Sequence, residues 1–385
     1  MVKVIWSKYP LTQIDWEEFA QLNHGKRCKF LKEHKLQYNR GEVPRCEDCD
    51  HAFFNCKCSD EEYHKKRELQ DAEMAKPFSE KLKYSEDLVK LKIEQIIRTK
   101  KKVYLGFSGG IDSESCLQLF KEAIIQNIVK VVVGNTLSEL PDTYKRLYQA
   151  EKELGVDFIW ATPVKGVTFE SNACLFGLPL YSRSNYKRIN TLPINYDPTL
   201  NIKHINTSEN IKRMTKLCCA NLKEKPQGLC TKKFDGDILG LRATESSGRA
   251  MAIKRLGDCS NITTTKWHIR PIAWWTRDNE WEFQKLRGFN YNGIYDKTNI
   301  GKIGKYKTST GRIIDIRSGC AYCPQGIHQG YLEWLYEFYP KYFEKLVKIY
   351  DNVAIKHGDG VDFKKVLEIK KVKDPRDLKD KSQPF

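Results

Sequence analysis

The sequence predicts an α/β fold: a parallel, twisted sheet with helices on both faces, carrying a small N-terminal cysteine-rich metal module and C-terminal helices. Three observations predict it. Short apolar runs starting near 102, 128 and 158 are separated by segments whose apolar residues recur at helical spacing. That βαβαβ alternation makes strands parallel and puts helices over the sheet. The run VYLGF stops at Gly109 and Gly110 and restarts as a helix through Leu117, Phe120 and Ile124, so the glycines lie at the carboxyl end of a strand, where such sheets bind ligands. Finally, 385 residues exceed one minimal domain and leave room for appendages around a large core.

Taken in order, about the first 65 residues combine a predicted helix around Trp16 to Leu22 with RCEDCDHAFFNCKC. The charged stretch that follows reads as a solvated helix or linker, broken at Pro77. A helix from Leu88 leads to the strand at Lys102. Strands follow at Ile128 to Val133 and Phe158 to Ala161, with a helix from about Asp142 to Leu154 between them. Residues 162–235 are irregular, rich in Asn, Lys and Arg, and too long for a passive connection, which suggests a substrate-facing insertion. DILGLRA at 237–243 is a further strand, followed by a helix from Thr244, and HIRPIAWW leads to a helix beginning near Thr276. From Gly330 come one or two helices, then a Lys/Asp tail expected to fray from about residue 372. The predicted units are 1–85, a cysteine-rich module with a charged linker; 86–330, the catalytic domain; and 331–385, a helical segment and basic tail.

A formal net charge of +17 favours polyanionic partners: nucleic acid, nucleotides, or phosphorylated and sulfated metabolites. No 18-residue apolar stretch exists and the start MVKVIWSKYP has no signal-peptide core, so a cytoplasmic location with no membrane association is expected. Thirteen cysteines in such a chain point to metal or redox chemistry. Cys28, Cys116, Cys174 and Cys259 are scattered and read as buried inert thiols; the others cluster.

Each cluster suggests chemistry. Gly109 and Gly110 let a ligand approach the backbone, the helix end favours an anion, and Ser108 and Ser113 add hydroxyl donors. The stretch has neither the Gly-Lys-Ser/Thr ending of a Walker A loop nor dinucleotide GxGxxG spacing. Cys218-Cys219 and Cys320-x-x-Cys323 supply four thiolates, a ligand set shared by iron–sulfur clusters and zinc. Cys230 is a spare thiol that either replaces one of the pair as ligand or accepts sulfur as a nucleophile. Cys46-x-x-Cys49 with Cys56-x-Cys58 looks like a compact zinc knuckle, in which Zn2+ would supply the folding free energy a short loop lacks. His51 or Cys28 could substitute for one of its ligands.

SGGIDS resembles the PP-loop, SGGxDS, of the ATP-pyrophosphatase (adenine nucleotide alpha hydrolase-like) superfamily. The blocks after it resemble the phosphoadenosine phosphosulfate (PAPS) reductase family together with the related sulfurtransferases of DNA phosphorothioation. VVVGNTLSELPDTYK resembles the family's strand and turn, with Asn135, Thr136, Glu139, Pro141 and Thr143 in place. FGLPLYSRSN, CCANLKEKP, LGLRATESSGR, RPIAWWTRDNEW, YNGIYDK and RSGCAYCPQG follow in the expected order. The resemblance implies ATP with Mg2+ bound by Ser108, Gly109, Gly110, Asp112, Ser113, Asn135 and Thr136. It implies catalysis by Asp112, Lys223, Arg242, Glu245, Arg249 and Cys230, with Lys223 and Lys225 near a leaving pyrophosphate. Asp112 either helps hold the magnesium ion or caps the helix. A [4Fe-4S] cluster is implied at Cys218, Cys219, Cys320 and Cys323.

The chain departs from the reductases at two points. Their loop is typically degraded and a cysteine near the C-terminus attacks sulfur, whereas here SGGIDS is whole and no cysteine follows Cys323. The resemblance therefore implies an ATP-dependent adenylating sulfurtransferase, with nucleic acid (DNA or tRNA) as acceptor and a sulfur donor such as a cysteine desulfurase as partner. The alternative is a PAPS or adenylylsulfate reductase in sulfate assimilation, with Cys230 or Cys174 as its nucleophile.

Overall fold

The computed structural model describes residues 68, 71–176, 178–179, 218–246, 249–250, 253, 260–262, 266–357 and 362–379. The chain divides into Met1–Lys76 and Pro77–Phe385, and the second unit holds the fold. Its first helix, α1 (Phe78–Thr99), starts directly after Pro77 rather than at Leu88. The charged composition hides its buried stripe: Leu82, Ser85, Val89 and Ile96 face inward while the lysines and glutamates between them are mostly exposed. The boundary expected at residue 85 therefore moves to Lys76/Pro77.

β1 (Val103–Phe107) enters the glycine turn, and α2 (Ile111–Leu119) and α3 (Lys121–Ile125) lead to β2 (Val129–Gly134). α4 (Pro141–Leu154) ends on Gly155, whose φ of 65° is a left-handed cap. β3 (Ile159–Ala161) and α5 (Phe169–Phe176) follow. A π-helical turn at Ala220–Glu224 then runs into α6 (Lys225–Thr231). The segment expected to be irregular thus carries helices at both ends. β4 (Gly236–Ile238) stops short of the predicted strand, because Gly240 passes over the start of α2: a Cβ there would lie 2.4 Å from the Asp112 carbonyl. A short 3-10 turn at Ala243–Glu245 replaces the immediate helix expected from Thr244.

β6 (Trp267–Ile269) lies beside β4, and β5 (Ser260–Ile262) pairs with it antiparallel at the edge. The order is β3-β2-β1-β4-β6-β5, parallel through the first five strands. Both faces are covered. Val103, Leu105 and Phe107 with Val131 and Val133 turn into the main core, while Val132 turns the other way to Ala161 and Phe234, where α6 packs on β2 and β3.

α7 (Arg277–Arg287) begins at Thr276, whose hydroxyl accepts the Asn279 amide at 3.2 Å. A hairpin absent from the sequence prediction, β7 (Lys305–Lys307) with β8 (Ile313–Asp315), follows. α8 (Tyr331–Phe338), α9 (Pro340–His357), α10 (Phe363–Lys370) and α11 (Pro375–Lys379) complete the described chain. They are not an appendage. Leu332, Trp334, Leu335, Phe343 and Val366 belong to the same core cluster as Leu105 and Phe107. The tail expected to fray from about 372 forms a helix at Pro375–Lys379, with Arg376 paired to Asp374 and set over the Phe363 ring. Among the described residues no helix is long and apolar enough to cross a membrane.

Candidate active site

A cleft of about 1240 Å³ opens at the glycine turn after β1 and the segment after β4. There the strand order reverses direction, the position at which such sheets form a crevice. Ser108, Gly110, Asp112 and Ser113 line it.

The two glycines have separate reasons. Gly109 has a φ of 69°, in the left-handed region, and its carbonyl accepts from the Asn292 amide at 3.0 Å. Gly110 is extended and precedes the helix, and a Cβ there would lie 2.6 Å from the Ser318 hydroxyl. Ser113 donates its hydroxyl to the Gly110 carbonyl at 2.8 Å and accepts the Ser108 amide at 3.2 Å. The first helical bond runs from the Glu114 amide to the Gly110 carbonyl, so the Asp112 and Ser113 amides stand outside the ladder at the positive helix end. The Tyr295 hydroxyl meets the Ile111 amide at 3.0 Å.

Asp112 does not cap this helix. Gly110 occupies that position with no side-chain bond, and the Asp112 carboxylate instead accepts from Arg242 Nε at 2.6 Å and Arg277 Nη1 at 3.2 Å. The same guanidiniums lie 2.9 and 3.0 Å from the two oxygens of Glu280, contacts whose angles are not those of hydrogen bonds. Burial alone would raise the Asp112 carboxyl, but Arg277 and Arg242 outweigh it and hold it down at about 2. Glu280 goes the other way, pushed well above the carboxylate range by burial and by the charge on Asp112. The two carboxyls are thus pushed in opposite directions, Asp112 down by the arginines and Glu280 up by burial.

Thr136 and Glu139 also line the cleft. Glu139 folds back on its own turn, accepting the Thr136 amide and hydroxyl at 3.1 and 2.7 Å on one oxygen and the Tyr144 hydroxyl at 3.0 Å on the other. The Asn135 side chain donates to Thr162 and accepts from Tyr144, so it braces the turn. Lys223, Glu245 and Arg249 reach the cleft, with Arg249 ion-paired to Glu245. Lys225 instead donates to Asn221.

Cys218, Cys219, Cys320 and Cys323 line the same cleft. Burial, then the neighbouring Cys219 and Cys323, push the Cys218 thiol up to about 12. Cys320 is raised well above its usual range by burial, Cys323 and Cys218. Cys219 is exposed, and beyond burial it responds to Lys223 and Glu224. Among the described residues no group of three or more His, Cys, Asp or Glu is drawn close enough to hold a metal ion. The donor set, four cysteine sulfurs from two segments lining one cleft, is one that iron–sulfur clusters and zinc share. Cys230 is elsewhere. It packs against the cluster of Val132, Ala161 and Phe234 on the α6 face and does not line the cleft. Cys116 is fully buried, as expected, whereas Cys174 is only partly covered. Cys28, Cys46, Cys49, His51, Cys56, Cys58 and Cys259, and with them the zinc knuckle, lie outside the described residues.

Residues 102–325, more than half of the chain, match the family described as phosphoadenosine phosphosulfate reductase domain. The chain belongs to this family. No curated protein matches it. Among solved structures it is similar to a phosphoadenylyl-sulfate reductase from Candida auris in a phosphate complex, at 14% identity over 60% of this chain and 89% of that one, with a TM-score of 0.36. An FMN adenylyltransferase from Candida glabrata in complex with ATP gives 10% identity over 62% and 69%, with a TM-score of 0.36. An NH3-dependent NAD synthetase from Campylobacter jejuni gives 12% over 73% and 97%, with a TM-score of 0.29.

In this member of the PAPS reductase domain family, several site residues escaped the sequence reading although they sit inside blocks it singled out. Arg277 and Glu280 are in RPIAWWTRDNEW, and Asn292 and Tyr295 in YNGIYDK. Their signal was block membership alone. Within the first block, Ile272 and Trp275 are fully buried, and the Trp275 ring nitrogen donates to Ser85 at 3.0 Å. That half of the block is core, and it sets α7 so that Arg277 and Glu280 meet Asp112.

Proposed function

We propose that this protein is an ATP-dependent adenylating sulfurtransferase that acts on nucleic acid. The observation that supports it is the meeting, in one cleft, of an intact SGGIDS loop with Cys218, Cys219, Cys320 and Cys323. The loop amides and Ser108 and Ser113 would take the phosphates of ATP, accompanied by Mg2+. A substrate oxygen then attacks the α-phosphorus, the bond to the bridging oxygen breaks, and pyrophosphate leaves. Lys223 and Arg249, which line the cleft, would stabilise charge developing on the leaving group. Adenylation makes that oxygen a good leaving group, and a sulfur nucleophile displaces it as AMP. A [4Fe-4S] cluster held by the four cysteines would carry or orient the sulfur. The net charge of +17 suits a DNA or tRNA acceptor, with a cysteine desulfurase or similar protein as sulfur source in the cytoplasm.

The deciding experiment is pyrophosphate release from ATP and magnesium by anaerobically purified protein, with and without DNA or tRNA. Release stimulated by one polymer is expected and names the acceptor class. A second reading, reduction of PAPS or adenylylsulfate, is favoured by the description of the family itself. It needs a thiol in the cleft that attacks sulfur, for which Cys219 is the exposed candidate. Tight PAPS binding without pyrophosphate release would establish that reading instead. For the cluster, Cys320→Ala should bleach the brown absorbance of the anaerobic protein and remove its iron; full retention of iron would remove Cys320 from the ligand set.

A further inference from the structure

Arg242 and Arg277 come from different elements, the segment after β4 and the first residue of α7, and converge on Asp112; Asp112 and Arg277 line the cleft, and the Arg242 side chain beside them is 4% exposed. On the core side they meet Glu280, whose side chain is 0% exposed; on the cleft side they meet Asp112, whose side chain is 20% exposed. Two guanidiniums closing on one oxyanion is the arrangement that also suits a phosphate oxygen, since planar donors match either anion. The two carboxyls differ in freedom. Glu280 lies in the first turn of α7, which the reciprocal Thr276–Asn279 cap fixes. Asp112 lies in the first turn of α2 and borders the cleft, so rotation about its own side chain carries it off the arginines.

We infer that Asp112 competes with an incoming oxyanion for the Arg242–Arg277 pair, and that Glu280 is the positioning residue that keeps both guanidiniums aimed at the cleft when Asp112 gives way. The inference rests on the reading of the cleft as a nucleotide site. A pyrophosphate or triphosphate group carries more charge than one carboxylate and displaces it. The released Asp112 then faces the cleft, where a divalent cation accompanying the phosphates would meet it. Asp112 and the arginines thereby act in sequence at one place: the carboxylate satisfies the buried guanidiniums, and the ligand relieves it.

The test is calorimetric titration of inorganic pyrophosphate, without magnesium, into the full-length wild type and the variants Asp112→Asn, Glu280→Gln and Glu280→Leu, with melting temperatures alongside. Removing the competing charge should tighten binding by Asp112→Asn about tenfold, the size of a charged hydrogen bond. Glu280→Leu should weaken binding by about tenfold, and Glu280→Gln, which keeps a polar contact with the arginines, should fall between it and the wild type. If Glu280→Leu does not fold, Glu280→Gln carries this arm. Asp112→Asn binding no tighter than wild type overturns the competition, and Glu280 variants binding as wild type overturn the positioning role. Pyrophosphate release from ATP by the wild type judges the nucleotide reading separately. Release by the wild type with no gain in Asp112→Asn sinks the competition alone, whereas no release and no binding by any of the four proteins sinks both.

Discussion

Replacing Arg146 with alanine is expected to destabilise the folded protein by about 3–5 kcal/mol, the cost of leaving a buried charge without its partner. Arg146 on α4 and Glu114 on α2 have side chains 1% and 0% exposed. The guanidinium grips Glu114 at 2.9 and 2.7 Å through Nε and Nη2 and reaches Glu153 at 2.9 Å through Nη1. Such a fork fixes two helices at a set distance and angle. It also sets the glycine loop, because Glu114 donates the first helical bond of α2 to the Gly110 carbonyl. The companion experiment changes both partners at once. Glu114→Leu with Arg146→Met should recover most of the loss, because a matched apolar pair is no worse in a core than a buried ion pair. Urea denaturation of the three proteins checks both, and a single Arg146→Ala that unfolds like the wild type would remove the clamp from the stability of the fold.

The glycine pair should separate stability from activity. Gly110→Ala meets no backbone strain, since that residue is extended, and its new methyl would approach the hydroxyls of Ser318, Ser108 and Tyr295 at 2.6, 3.5 and 3.6 Å. The Ser318 hydroxyl can rotate away and the other two are at ordinary contact distance, whereas a phosphate in the loop cannot pass through a methyl. Pyrophosphate release should therefore fall by about 100-fold, as for a misplacement of the order of an ångström, with little change in melting temperature. Gly109→Ala acts on stability as well: the left-handed φ of 69° costs an alanine about 1–2 kcal/mol and lowers the melting temperature. Should Gly110→Ala release pyrophosphate at the wild-type rate, the loop would have no part in binding phosphate.

What was legible in the sequence is local. The strand, two glycines and helix from Val103 to Leu119, the helix now bounded by Pro141 and Leu154, and the Thr276 start of α7 follow from periodicity and turn chemistry within a few neighbours. The parallel sheet follows from the alternation of those elements. α1 was read ten residues short because its buried positions are spaced a turn or two apart among lysines and glutamates, a pattern that charge counting reads as solvated. The β7–β8 hairpin has only three residues in each strand, too few for a period to declare itself.

The sequence by itself determined the nucleotide-type loop, the family blocks and their order, and the supply of thiols. Only the tertiary structure decided which of these meet. It joined Asp112 to Arg242 and Arg277 across separations of 130 and 165 residues, set Glu280 against the same arginines, brought Cys218 and Cys219 to the cleft of Cys320 and Cys323, and left Cys230 out of its lining, against Val132, Ala161 and Phe234. A motif records the groups a short segment can offer. Their partners, and hence the direction in which each carboxyl is pushed, depend on burial and on the crossing of strands far apart in the chain.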